Sequence, residues 1–300
     1  MPSLSKGGDE VRRLVFLLPA LILIAIIVVF PAEETIRWSF WSWDGLDMEE
    51  FNGLNNYIEL FRDKSFINLN RFPDQIPPWG ALIHNVLWVI VFIPVTALLG
   101  LFLAVLFREV KGSSILKSMI FLGMVVPLVV GGMLIRFMFD GRAGIVNALL
   151  RTVGLEDLAR TWTAYPDTAL LSVILGSIWI WTGFAMIIYS AALELIPKDL
   201  YESAGVDGAS PWKTFRRITI PMVRPATLIV VIMNLIYVLR IFDIVYIATG
   251  GGPGGASSVL ALEGYYAAFR RFEWGQASAI FTFLTLAAAA ISVFLVRKVR

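Results

Sequence analysis

Residues Glu194 to Pro225 read ELIPKDLYESAGVDGASPWKTFRRITIPMVRP, a polar stretch between two long apolar runs. It carries Lys198, Lys213, Arg216, Arg217 and Arg224. A basic loop between apolar runs marks the cytoplasmic side of a membrane, so the runs that flank it read as spans. Inside the loop, Pro197 opens a helix, and Asp199 and Glu202 fall in its first turns, where the positive end of the helix dipole favours carboxylates. The pattern predicts a short helix over about Lys198 to Val206, ended by Gly208. Ser210-Pro211 then opens a second helix, giving a compact knob at the membrane surface.

Working outward, the chain of 300 residues is 58% hydrophobic and 16% charged, too apolar for a soluble domain of this length. The expected fold is therefore all-α: a polytopic membrane protein of six helices. The net charge of +2 is no nucleic-acid signature, because the basic residues gather at the ends of apolar runs. There is no Cys and a single His, His84. That excludes thiolate chemistry, leaves little for imidazole acid/base work and offers no metal-ligand set. No GxxxxGK[ST] pattern occurs, so the chain has no phosphate-binding loop of that kind with which to use ATP itself.

The expected spans are Leu14 to Phe30, Ile83 to Phe107, Ile120 to Phe139, Thr168 to Leu193, Ala226 to Ala248 and Gln276 to Val296. The first comes after a tail carrying Lys6, Arg12 and Arg13 and reads as a retained signal anchor, since Pro31-Ala32-Glu33-Glu34 is a poor cleavage site. Its roughly 17 residues reach only about 26 Å, so Pro31 and the residues after it must complete the crossing. Pro94, Pro127 and Gly131-Gly132 are expected to bend spans two and three. The chain then falls into three regions: 1–32, the tail and first span; 33–80, an external segment with Trp38, Trp41 and Trp43 as an interfacial belt; and 81–300, a core of five spans with the loop at 194–225. Fourteen of the 25 Lys and Arg fall on the tail, the Arg108 to Lys117 loop, the 194–225 loop and the C-terminus, which places those four inside and both termini in the cytoplasm.

Within the opening loop, Glu202-Ser203-Ala204, then Gly208 after three residues, then Ile218-Thr219-Ile220-Pro221 after nine more, resembles the EAA loop of ABC-importer permeases, with Ser203 and Ile220 as conservative departures. The resemblance implies the type I importer permease fold and makes the knob a coupling helix that docks in a cleft of a separate ATPase subunit. Glu202, Ser203, Ala204, Asp207, Gly208 and Pro221 are then the coupling residues. Further on, Phe242-Asp243, Tyr246, Thr249, Gly251, Gly252 and Pro253 resemble the F-D-x-x-Y-x-x-T-x-G-G-P signature of the carbohydrate-uptake branch, similar to the maltose permease. GLNNYIELFRD from Gly53 and GIVNALL from Gly144 are also familiar from it. The family implies a second homologous permease, two ATPase subunits that bind ATP and Mg, and an external solute-binding protein. The chain itself then has no cofactor, no metal and no enzymatic step.

A cargo of this kind needs a flat apolar surface for a sugar ring and neutral polar groups for its hydroxyls. Trp179, Trp181 and Phe184 in span four, with Asn234 and Tyr237 in span five, offer that mixture, although ordinary helix packing explains the aromatics equally well. Arg240 and Asp243 are costly at membrane depth and should face protein or water. Their i, i+3 spacing lets them pair on one helix face, as pathway groups or as a structural ion pair. The function this implies is inward transport of an oligosaccharide or similar sugar, with glycerol-3-phosphate or another polyol as the alternative. A stand-alone secondary transporter would show inverted repeats and leaves the EAA loop without a purpose. A membrane enzyme lacks its catalytic cluster.

Overall fold

The computed structural model describes residues 16–44, 46 and 48–299. The tail with Lys6, Arg12 and Arg13, the start of the expected first span at Leu14, and Arg300 lie outside them. Four described helices are long and apolar enough to cross a membrane, and two bent helix pairs make six if each pair is one span. The chain divides into two compact units: residues up to Phe61 with Gly264–Leu286, and Arg62–Glu263 with the chain from Ala287 on.

In the first unit, α1 (Phe16–Trp38) runs on through Pro31, as the short apolar run requires. A π turn at Ala25–Val29 widens the helix just before the proline. Its apolar side chains from Phe16 to Phe30 are exposed, the pattern of a helix whose solvent is lipid. Next comes a feature the all-α expectation did not contain: an antiparallel ribbon of β1 (Trp41–Trp43) and β2 (Met48–Phe51). The predicted tryptophan belt is partly a packed cluster, with Trp43 against Trp38 at 4.2 Å and Trp274 at 5.4 Å between ring centroids. The GLNNY motif explains why. Its Asn56, in α2 (Asn55–Arg62), donates to the carbonyls of Ser39 and Trp41, both at 2.9 Å, and Tyr57 Oη bonds Ser39 Oγ at 2.7 Å.

The second unit is built on α3 (Ala81–Leu106) and α7 (Pro166–Glu194), its most extensive helix pair. They cross where Gly100 meets Ala185; a Cβ on Gly100 would collide with the Ala185 side chain and backbone, the close approach that small residues permit between membrane helices. The expected third span, Ile120 to Phe139, is instead two helices, α4 (Ser113–Val125) and α5 (Leu128–Met138), meeting at 105°. Proline explains the corner: it disfavours helical geometry at the residue before it, and Val126 is extended at ψ 128°. After α5, α6 (Ile145–Thr152) holds the GIVNALL motif. Its buried Asn147 donates to the carbonyls of Asp140 at 2.7 Å and Arg160 at 2.8 Å, a loop staple.

Beyond α7 come α8 (Lys198–Val206), α9 (Pro211–Met222) and α10 (Arg224–Leu239), the last two bent by 63°. The expected fifth span, Ala226 to Ala248, also needs correction. α10 stops at Leu239, Arg240 to Phe242 leave helical geometry, and α11 (Asp243–Ala248) starts afresh. At the break the carbonyl of Val238 accepts the N–H of Ile241 at 3.4 Å and, from α3, Asn85 Nδ2 at 3.2 Å. α12 (Leu260–Tyr266) and α13 (Trp274–Val299) complete the chain.

Candidate functional site

The loop that decides the fold is where its sequence put it. α8 spans Lys198–Val206, with Pro197 before it and Gly208 after it at φ 67°, a backbone conformation that suits glycine. The N–H of Ala209 closes the turn on the carbonyl of Ala204 at 2.9 Å. Ser210 Oγ accepts the N–H of Lys213 at 3.3 Å and caps α9. Glu202, Ser203, Asp207, Gly208 and Pro221 are exposed, and Ala204 is half-buried. The knob is thus a rigid polar surface held at its base: Tyr201 Oη bonds Thr219 Oγ1 at 3.1 Å, and the Arg108 guanidinium lies 4.4 Å from the Tyr201 ring centroid. Tyr201 also packs on a buried cluster that includes Ala104, Leu193, Ile196 and Val223.

Deeper in the second unit, the candidate cargo residues divide. The Tyr237 ring lies 4.5 Å from that of Trp181 and 5.3 Å from Phe92, and Trp181 lies 5.8 Å from Phe184. Beside this cluster opens a cleft of ≈ 270 Å³ lined by Trp181, Tyr237, Arg240 and Asp243 with apolar neighbours such as Met233 and Ile236. Phe184 reaches the cluster only through Trp181. Trp179 does not join it: it is 43% exposed, as two residues of helix, about 200°, turn it away from Trp181. Asn234 does not line the cleft and is fully buried, with neither amide atom hydrogen-bonded in the protein.

Arg240 and Asp243 both line the cleft, but among the described residues no ion pair joins them. The i, i+3 pairing fails because the helix breaks between them. Asp243 opens α11, where a carboxylate complements the helix dipole, and Arg240 caps α10.

The F-D-x-x-Y signature forms the frame of the next turn. Phe242 stacks on Tyr246 at 5.3 Å, and Thr249 Oγ1 bonds Ser257 Oγ at 2.7 Å and accepts the N–H of Gly251 at 3.2 Å. Pro253, Gly254 and Gly255 line a separate pocket of ≈ 820 Å³ with Lys64, Asn68 and Arg71. His84 is structural: it is buried, Nε2 accepts the N–H of Trp79 at 3.2 Å, and Nδ1 is then the donor to the Ser258 carbonyl at 2.8 Å. Asn85 beside it also accepts from the Leu260 N–H at 2.9 Å. A polar pair at the head of an apolar run was the available signal for this staple. No group of His, Cys, Asp and Glu among the described residues is placed to hold a metal.

An integral-membrane helical chain with an exposed helix–turn–helix knob and a largely apolar cleft carrying Arg240 and Asp243 fits a transport subunit. The chain belongs to the family of inner membrane components of binding-protein-dependent transport systems, which residues 96–299 match. Over 285 residues it is 51% identical to a probable ABC transporter permease protein of Pyrococcus horikoshii, covering 94% of this chain and 96% of that one. It is 28% identical over 288 residues to the trehalose/maltose transport system permease protein of Thermococcus litoralis, covering 95% and 92%. Its fold is that of a chain in the crystal structure of a bacterial ABC transporter involved in the import of the acidic polysaccharide alginate, at a TM-score of 0.76, 22% identity and 98% coverage of both chains.

Proposed function

We propose that this chain is the permease subunit of an ABC importer that moves an oligosaccharide or similar sugar inward, driven by separate ATPase subunits. The observation that carries the reading is the knob: α8 and the start of α9 present Glu202, Ser203, Asp207 and Gly208 on one exposed, capped surface at EAA spacing. In this reading both termini and the knob are cytoplasmic. A second homologous permease, two ATPase subunits binding ATP and Mg, and an external solute-binding protein complete the machine, and this chain performs no covalent chemistry. The sugar assignment is supported by the F-D-x-x-Y signature and by the relative that serves trehalose and maltose.

Cargo would pass beside Trp181 and Tyr237, whose rings offer the flat apolar face, with Arg240 and Asp243 at the rim. At ≈ 270 Å³ the cleft is below the size of pockets that enclose a small ligand, so it forms one wall of the path and the partner permease the other. The test is purification from the native membrane, then reconstitution with the co-purified subunits and a sugar screen on the cognate binding protein. An ATPase that co-purifies and sugar uptake that needs ATP support the reading; uptake driven by an ion gradient without an ATPase overturns it.

A further inference from the structure

Three segments of the chain, far apart in sequence, meet at one ring on the cytoplasmic-type end of the second unit. Tyr201 of α8 lies with its ring under the Arg108 guanidinium, two residues past the end of α3, and with its hydroxyl on Thr219 of α9. Arg108 and Tyr201 are half-buried and Thr219 is buried, so the contacts are partly shielded from water. Around them lies a cavity of ≈ 550 Å³ lined in part by Glu109, Gly205, Ala209 and Phe215. The Thr219 arm ends a π turn, Phe215–Thr219, a local widening common at functional sites.

We propose that Arg108 is a positioning residue for coupling: through the Tyr201 ring it fastens the knob to α3, so that a displacement of the knob reaches the cargo cleft along α3. The same helix carries Phe92, 5.3 Å from Tyr237, and Trp88, 6.5 Å from it, so α3, continuous through Pro94, connects the cleft wall to a point two residues short of the clamp. A charge held over an aromatic face suits this use because it tolerates sliding and tilting, whereas a hydrogen bond breaks once its angle is lost. The inference rests on the coupling reading of the knob.

The test compares four variants in the assembled transporter, scored as sugar transported per ATP hydrolysed. Arg108→Gln removes the charge and keeps a long polar side chain; Arg108→Lys restores the charge. Tyr201→Phe keeps the ring and loses the Thr219 bond. Glu202→Lys alters only the exposed knob surface and reports on the coupling reading itself. The expected result is about a two- to fivefold fall in the ratio for Arg108→Gln, the factor that a cation–π contact of this exposure supplies, with most of it recovered by Arg108→Lys and kept by Tyr201→Phe. An unchanged ratio in Arg108→Gln, or equal defects in Arg108→Gln and Arg108→Lys, overturns the clamp. If Glu202→Lys uncouples while Arg108→Gln does not, the clamp alone is wrong; if Glu202→Lys leaves the ratio unchanged, the coupling reading fails as well.

Discussion

Asn234 holds both its amide atoms in a buried site without a hydrogen-bond partner, in company with Trp88 Nε1, Thr96 Oγ1 and Ser190 Oγ on the neighbouring helices. A buried polar group left unsatisfied costs about 1–3 kcal/mol, so the residue is not explained by the stability of this conformation. Under the proposed transport function, a second conformation in which the amide meets cargo would account for it. Asn234→Leu is therefore expected to raise the thermal midpoint of the purified complex, or leave it unchanged, while transport falls about two- to tenfold, the worth of one lost hydrogen bond. A fall in the midpoint with unchanged transport would make it a packing residue. The tryptophans give a sharper contrast. Trp181→Ala removes a ring packed on Tyr237 and should reduce uptake about two- to tenfold, an aromatic contact contributing about 0.5–1.5 kcal/mol beyond its area. Trp179→Ala, on the exposed face, should leave uptake within about twofold. Equal loss in both would mean that the cleft is not the cargo path. Trp179 and Trp181 could have been separated from sequence by helical phase alone, whereas the burial of Asn234 depends on which helices close over it.

At the scale of elements, local signals and tertiary ones part company. α8 has the expected bounds because its proline, carboxylates and glycine act within a turn or two of where they stand. The staples at Asn56 and Asn147 reside in motifs the sequence displayed, but their partners Ser39, Trp41 and Arg160 lie 13 to 17 residues away and only folding names them. The break between α10 and α11 was only weakly marked. No proline or glycine stands at Arg240, Ile241 or Phe242, and the local signal is the charged pair Arg240 and Asp243; the Val238 carbonyl at the break takes Asn85 as a side-chain donor beside the Ile241 N–H. That dependence is testable. Asn85→Leu removes the cap on Val238 and the acceptor for the Leu260 N–H together, and is expected to lower the thermal midpoint and raise protease sensitivity around residues 239–260. Asn85→Asp keeps the acceptor and should be milder for the Leu260 bond but not for Val238. Equal stability of Asn85→Leu and the native protein would show that the break needs no cap.

For the whole molecule, the decisive question is which ends of the helices face the cytoplasm, because the knob couples to an ATPase only from that side. Charge asymmetry predicts the cytoplasmic side: the 194–225 loop and the Arg108 to Lys117 loop are short and basic, while the basic residues of the opposite segments are spread over longer stretches. The structure supplies the sites for the measurement, since α4 starts at Ser113 with Ser114 exposed, Val206 is 90% exposed at the end of α8, and Asn70 is exposed beside the pocket near the Gly-Pro turn. The chain has no cysteine, so single cysteines at Ser114, Val206 and Asn70 each report one position without background from this subunit. In intact cells an impermeant thiol reagent is expected to label Asn70→Cys, and to label Ser114→Cys and Val206→Cys only after the membrane is opened. Both cytoplasmic positions test the same claim through different spans: Ser114 lies after α3, and Val206 lies after the bent pair α4–α5 and then α7. Labelling of Val206→Cys together with Asn70→Cys, but not Ser114→Cys, in intact cells would mean that the 105° corner makes α4 and α5 a re-entrant pair instead of one crossing, and the knob would then face away from any ATPase. The reverse pattern at all three positions would invert the molecule and remove the basis for coupling altogether.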